Sequence, residues 1–84
     1  MNYTIELSKK AQKFIKAQQP KQQQRILNAI SKLPDEGDIK ALSGQHNVYR
    51  LRVGDYRIIY EVHNDILLIV VANIGNRGQV YNSI

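Results

Sequence analysis

Arg50, Arg52, Arg57, Arg77 and Tyr81 are the side chains in this 84-residue sequence best equipped for chemistry. Guanidinium forks match phosphate oxygens in charge and shape. A tyrosine has an ordinary pKa near 10 and becomes a usable acid or base where positive charge stabilises its anion. Such a set suits one reaction, cleavage of RNA by attack of a 2′-hydroxyl on its own adjacent phosphate. The substrate brings the nucleophile, and the protein has only to align the backbone, neutralise the phosphorane and move protons. Other chemistries lack their parts. There is no cysteine, and His46 and His63 fall in predicted turns as surface residues. No serine or threonine shows a base oriented beside it. No glycine-rich phosphate loop is present. The acidic run Asp35-Glu36-Gly37-Asp38 matches no calcium-loop spacing, so it is expected to be a solvated loop.

Three of these arginines sit in Val48–Val62, VYRLRVGDYRIIYEV. Two β-branched, aromatic-rich runs flank Gly54-Asp55, the signal of a two-residue hairpin turn with glycine first. That turn pairs Val53 with Tyr56, Arg52 with Arg57, Leu51 with Ile58, Arg50 with Ile59 and Tyr49 with Tyr60. Strand side chains alternate between faces. One face then carries Tyr49, Leu51, Val53, Tyr56, Ile58 and Tyr60, a core set; the other carries Arg50, Arg52 and Arg57. Like charges directly across a ladder are destabilising. Three arginines on one short face therefore point to an anion site.

The remaining elements must hold this hairpin. Tyr3–Leu7 alternates as a half-buried strand, and Ser8 is a good N-cap for the helix after it. Ala11, Phe14, Ile15 and Gln18 form that helix's buried stripe, with Lys9, Lys10, Lys13 and Lys16 largely off it. Gln19-Pro20 breaks the helix and starts a second one running to about Leu33, with Ile26, Leu27, Ile30 and Leu33 on one face. A connector over residues 39–47 leads into the hairpin. After a turn at Asn64-Asp65, the apolar run Ile66–Ala72 reads as a central strand covered on both faces, which places Ala72 opposite Arg57. The expected fold is α+β: an N-terminal strand, an antiparallel helical hairpin, then a three-stranded antiparallel meander. The helices pack on one sheet face and the basic residues lie on the other.

Residues 1–84 are read as one domain, and a chain this short buries roughly 60–65% of its unfolded surface. A large, surface-bound substrate suits it better than a deep pocket. Twelve Lys and Arg against seven Asp and Glu give a net charge of +5, which favours nucleic acid or an acidic protein partner. The N-terminus is unlike a secretory signal, and no apolar run approaches the roughly 20 residues that span a bilayer. The expected location is the cytoplasm, away from membranes.

Three stretches together are similar to a known family: IELSKKAQKFIK at Ile5–Lys16, VYRLRVGDYRIIYEV at Val48–Val62 and IGNRGQVY at Ile74–Tyr81. In this order they resemble the RelE/ParE superfamily of toxins from type II toxin–antitoxin pairs, the RelE branch in particular. The resemblance implies a microbial RNase-like fold and an mRNA endonuclease acting in the ribosomal A site. It also implies a cognate antitoxin that wraps and neutralises the toxin. Arg57, Arg77 and Tyr81 then correspond to catalytic positions, and Arg50 and Arg52 to basic residues that hold the phosphate. No metal or other cofactor is implied. Many relatives read IGHRREVY where this chain has Asn76 and Gly78, which remove an imidazole and a positive charge. Two alternatives stay open, a ParE-like toxin that binds DNA gyrase and cuts nothing, and a decayed toxin acting as a basic interaction module.

Overall fold

The computed structural model describes residues 2–44 and 46–76. Strand β1 (Thr4–Leu7) is followed by helices α1 (Lys9–Lys16) and α2 (Pro20–Ser31). Four further strands come next: β2 (Asp38–Ala41), β3 (Val48–Val53), β4 (Tyr56–His63) and β5 (Leu68–Asn76). They form one five-stranded sheet in the order β1-β5-β4-β3-β2. Only β1 and β5 run parallel; the other pairs are antiparallel. The α+β order expected from the sequence is met, with β2 as an addition on the edge where a connector was expected.

Local chemistry sets the helix starts. Ser8 is extended, and its Oγ accepts the Ala11 N–H at 3.0 Å, satisfying one of the free donors at the start of α1. The same hydroxyl donates to the Ala72 carbonyl at 2.7 Å, and the Ser8 N–H donates to Val71 at 2.9 Å. One residue thus caps a helix and fastens it to β5. Pro20 opens α2, where its missing N–H and fixed φ cost nothing.

Ala11, Ile15, Ile26, Ile30 and Leu33 meet Leu51, Ile58, Tyr60, Val62, Ile69, Val71 and Ile74 in one core between the helices and the sheet. Leu27 was expected on the buried stripe of α2 but is 44% exposed. Ile26, Ile30 and Leu33 follow the four- and three-residue spacing of a single stripe, and Leu27 lies one helical step off it.

The β3–β4 hairpin has the expected register, Val53↔Tyr56, Arg52↔Arg57, Leu51↔Ile58, Arg50↔Ile59 and Tyr49↔Tyr60. Gly54 takes φ +58°, the region glycine enters most readily. The β4–β5 register differs from expectation. His63 pairs with Leu68, so four residues connect the strands, and Leu67 adopts φ +52°. A bulge between Ile59 and Tyr60 then leaves Ala72 as an extra residue on β5. Arg57 consequently faces Gly75, not Ala72. The exposed Ile66, expected in the strand, lies in the connection.

Candidate anion-binding site

Alternation from the observed register puts Arg50 and Arg52 of β3, Arg57 of β4 and Lys40 of β2 on the sheet face opposite the helices. Lys40 is directly across from Arg50, and Arg52 directly across from Arg57. The structure thus brings together all three hairpin arginines and adds a lysine. Arg77 and Tyr81 lie outside the described residues.

This face has a floor. Ile59 and Asn73, paired across β4 and β5, are only 2% and 8% exposed. Arg50, opposite Ile59, has a side chain only 13% exposed, while that of Arg52 is 52% exposed. The buried Arg50 Nε has no hydrogen-bond partner among the described residues. Arg57 turns back onto the hairpin, its Nη1 donating to the carbonyls of Gly54 at 3.4 Å and Tyr56 at 3.3 Å. Both bonds are long and use one nitrogen of a five-donor group. Gly75, across from Arg57, places no side chain beside this guanidinium.

Asp38, like Lys40, is a residue that sequence reasoning missed. Its carboxylate meets Arg52 Nη2 at 2.5 Å through one oxygen and Arg50 Nη2 at 3.5 Å through the other. The sequence predicts a solvated acidic loop here, whereas Asp38 begins β2. The only available signal was the short alternation Asp38-Ile39-Lys40, too brief to separate a strand from a connector.

The tyrosines of the sheet face away from this site. Tyr49 and Tyr60 stack at 5.7 Å on the core side, and the Tyr56 hydroxyl donates to Gln18 Oε1 at 3.1 Å. Burial, with a smaller contribution from Tyr49, pushes the Tyr60 hydroxyl up to about 12. It therefore stays neutral wherever the protein functions. The folded chain keeps this proton while the unfolded chain loses it near pH 10. The Tyr60 contribution to stability is therefore complete below pH 10 and is lost as pH rises from 10 toward 12. Urea titrations across that range are expected to show this decline, and Tyr60→Phe to flatten it; an equal slope in both proteins would contradict the assignment.

His63 ends β4 and does not lie in a turn, and its Nε2 is 3.1 Å from Glu61 Oε1. His63 lies six residue steps along the strand from Arg57, about 20 Å, too far to serve a phosphate held there. His46 is exposed in a bend. Among the described residues, no group of three or more His, Asp or Glu is placed to hold a metal ion. Among them, too, no helix is long and apolar enough to cross a membrane.

The fold has counterparts in known proteins. The family described as ParE toxin of type II toxin–antitoxin system, parDE, matches residues 5–81. The chain aligns with the RelB–RelE antitoxin–toxin complex from Methanococcus jannaschii at TM-score 0.74 and 30% identity, covering 94% of this chain and 98% of that one. The archaeal RelE–RelB complex from Pyrococcus horikoshii OT3 gives TM-score 0.77 and 26% identity over 95% and 100% of the two chains. The RelE1 sequence of Methanocaldococcus jannaschii is 29% identical over 89 residues, 99% of each chain. This chain belongs to the ParE toxin family of type II toxin–antitoxin systems, within the RelE/ParE superfamily. These relatives lie on the RelE side of that superfamily.

Proposed function

We infer that the chain is a ribosome-dependent mRNA endoribonuclease whose activity arrests translation. The observation that carries this is the convergence of Arg50, Arg52 and Arg57 on one sheet face, with like charges opposed across the ladder at Arg52 and Arg57. In the reaction, the 2′-oxygen attacks the adjacent phosphorus and the 5′-oxygen leaves. A 2′,3′-cyclic phosphate forms on one fragment and a 5′-hydroxyl on the other. Arg50 and Arg52 hold the phosphate, while Arg57 and Arg77 neutralise the charge that builds on its equatorial oxygens. One proton must leave the 2′-hydroxyl and another must reach the 5′-oxygen. Tyr49, Tyr56 and Tyr60 are committed to the core side, and the resemblance of IGNRGQVY to the family motif assigns Tyr81 to orienting the substrate or assisting proton transfer. The reaction uses side chains alone, without metal or other cofactor.

So small a surface lacks a strong base, which is why the ribosome is assigned the task of bending the mRNA into line. The natural partner is a cognate antitoxin protein, by analogy with the RelB subunits in the matched complexes, and the compartment is the cytoplasm. Complementary charge would speed this encounter more than it sets affinity. The parDE description of the matched family favours a second reading, a toxin that binds gyrase. Induced expression separates the two. The nuclease reading expects amino-acid incorporation to stop while DNA synthesis continues. Double-strand breaks with translation intact would establish the gyrase reading instead.

A further inference from the structure

We propose that Asp38 is a positioning residue that occupies the Arg50–Arg52 fork and is displaced by the incoming phosphodiester. This rests on the reading that the basic face takes an RNA phosphate. A carboxylate and a phosphodiester each present two anionic oxygens to guanidinium donors, so they compete for the same N–H groups. Asp38 spans both arginines with its two oxygens, at 3.5 and 2.5 Å. It approaches from the four-residue edge strand β2, where it pairs with Arg52 across the ladder. Without it, Lys40, Arg50, Arg52 and Arg57 would face one another on neighbouring strands with no counter-charge between them among the described residues. The side chain is 43% exposed, so its ion pairs are weak and exchange readily for a ligand. Arg50 is the better buried partner and keeps its Nε donor unspent among the described residues. The fork is thereby held together before any phosphate arrives, at a modest cost in affinity.

The test uses the full chain and a short, fully 2′-O-methylated RNA, which lacks the nucleophile and reports binding without cleavage. Asp38→Asn is expected to bind it about 2- to 5-fold tighter, the range an exposed ion pair represents. Its plot of log affinity against log salt is expected to steepen by up to about 0.7, one more counterion released per freed cation. Asp38→Ala should show the same gain, and Asp38→Glu should restore wild-type binding. In an Arg50→Ala/Arg52→Ala background, which removes both partners of Asp38, the gain should vanish. Unchanged or weaker binding by Asp38→Asn and Asp38→Ala, with wild-type melting curves, overturns the proposal. So does a gain that persists without both Arg50 and Arg52, because that would be a general charge effect. Wild-type protein that cuts mRNA on ribosomes without an Asp38→Asn gain overturns only the role of Asp38. A gain in a chain that cuts nothing overturns the nuclease reading and leaves the fork standing.

Discussion

Arg57→Ala is expected to slow mRNA cleavage by about 10^2–10^3-fold, the usual effect of removing one donor that stabilises a developing oxyanion. The structure explains why the loss should be catalytic and not structural. Arg57 lies on the sheet face away from the helices, and its side chain makes two long contacts to neighbouring carbonyls. It also stands opposite Arg52, so its removal relieves a like-charge pair. The melting temperature is therefore expected to hold or rise slightly. The measurement is single-turnover cleavage in a purified translation reaction beside a thermal melt. Wild-type cleavage by a folded Arg57→Ala chain would remove Arg57 from the site.

Ile58→Ala, one residue along the same strand, is expected to have the opposite profile. Ile58 is fully buried, pairs with Leu51 and Ile74, and points into the core beneath the helices. Truncating a buried isoleucine costs about 2–5 kcal/mol, lost transfer energy plus the cavity left behind. Against a total of about 5–15 kcal/mol for a natural domain, that is a large share. Urea denaturation should show a midpoint shifted sharply down with an unchanged slope. A shift below about 0.5 kcal/mol, the size of a surface substitution, would contradict the packing described. The contrast between the adjacent residues follows from strand alternation alone: odd positions in this stretch of β4 serve the anion face and even ones the core.

That alternation is also why the hairpin was legible in the sequence. Gly54-Asp55 supplied the turn, and the faces on either side of it followed without further information. Ser8 and Pro20 announced the helix starts through side-chain chemistry that acts within one turn. The features that escaped depend on distant partners. β2 has four residues, and only its pairing with β3 distinguishes it from a connector. The connection after His63 uses Leu67 at φ +52°, which a leucine sequence does not signal, and the bulge adds a further offset. Together they exchange Ala72 for Gly75 beside Arg57, so the expectation of a small residue there survives while its identity changes. Asp38 was invisible for the same reason: its role exists only once β2 lies against β3. Arg50, Arg52 and Arg57 could be found because they belong to one local hairpin. Arg77 and Tyr81 were found through the resemblance of IGNRGQVY to a family motif, not through periodicity.

The most direct test of the central claim is primer extension on an mRNA taken from a purified translation reaction, with and without this protein. The nuclease account predicts new 5′ ends inside codons, bearing 5′-hydroxyl groups, that appear only when ribosomes are engaged and disappear with Arg77→Ala. Intact mRNA under translating conditions would contradict it and turn the search to gyrase. Cleavage of naked RNA at the same rate would contradict the part assigned to the ribosome.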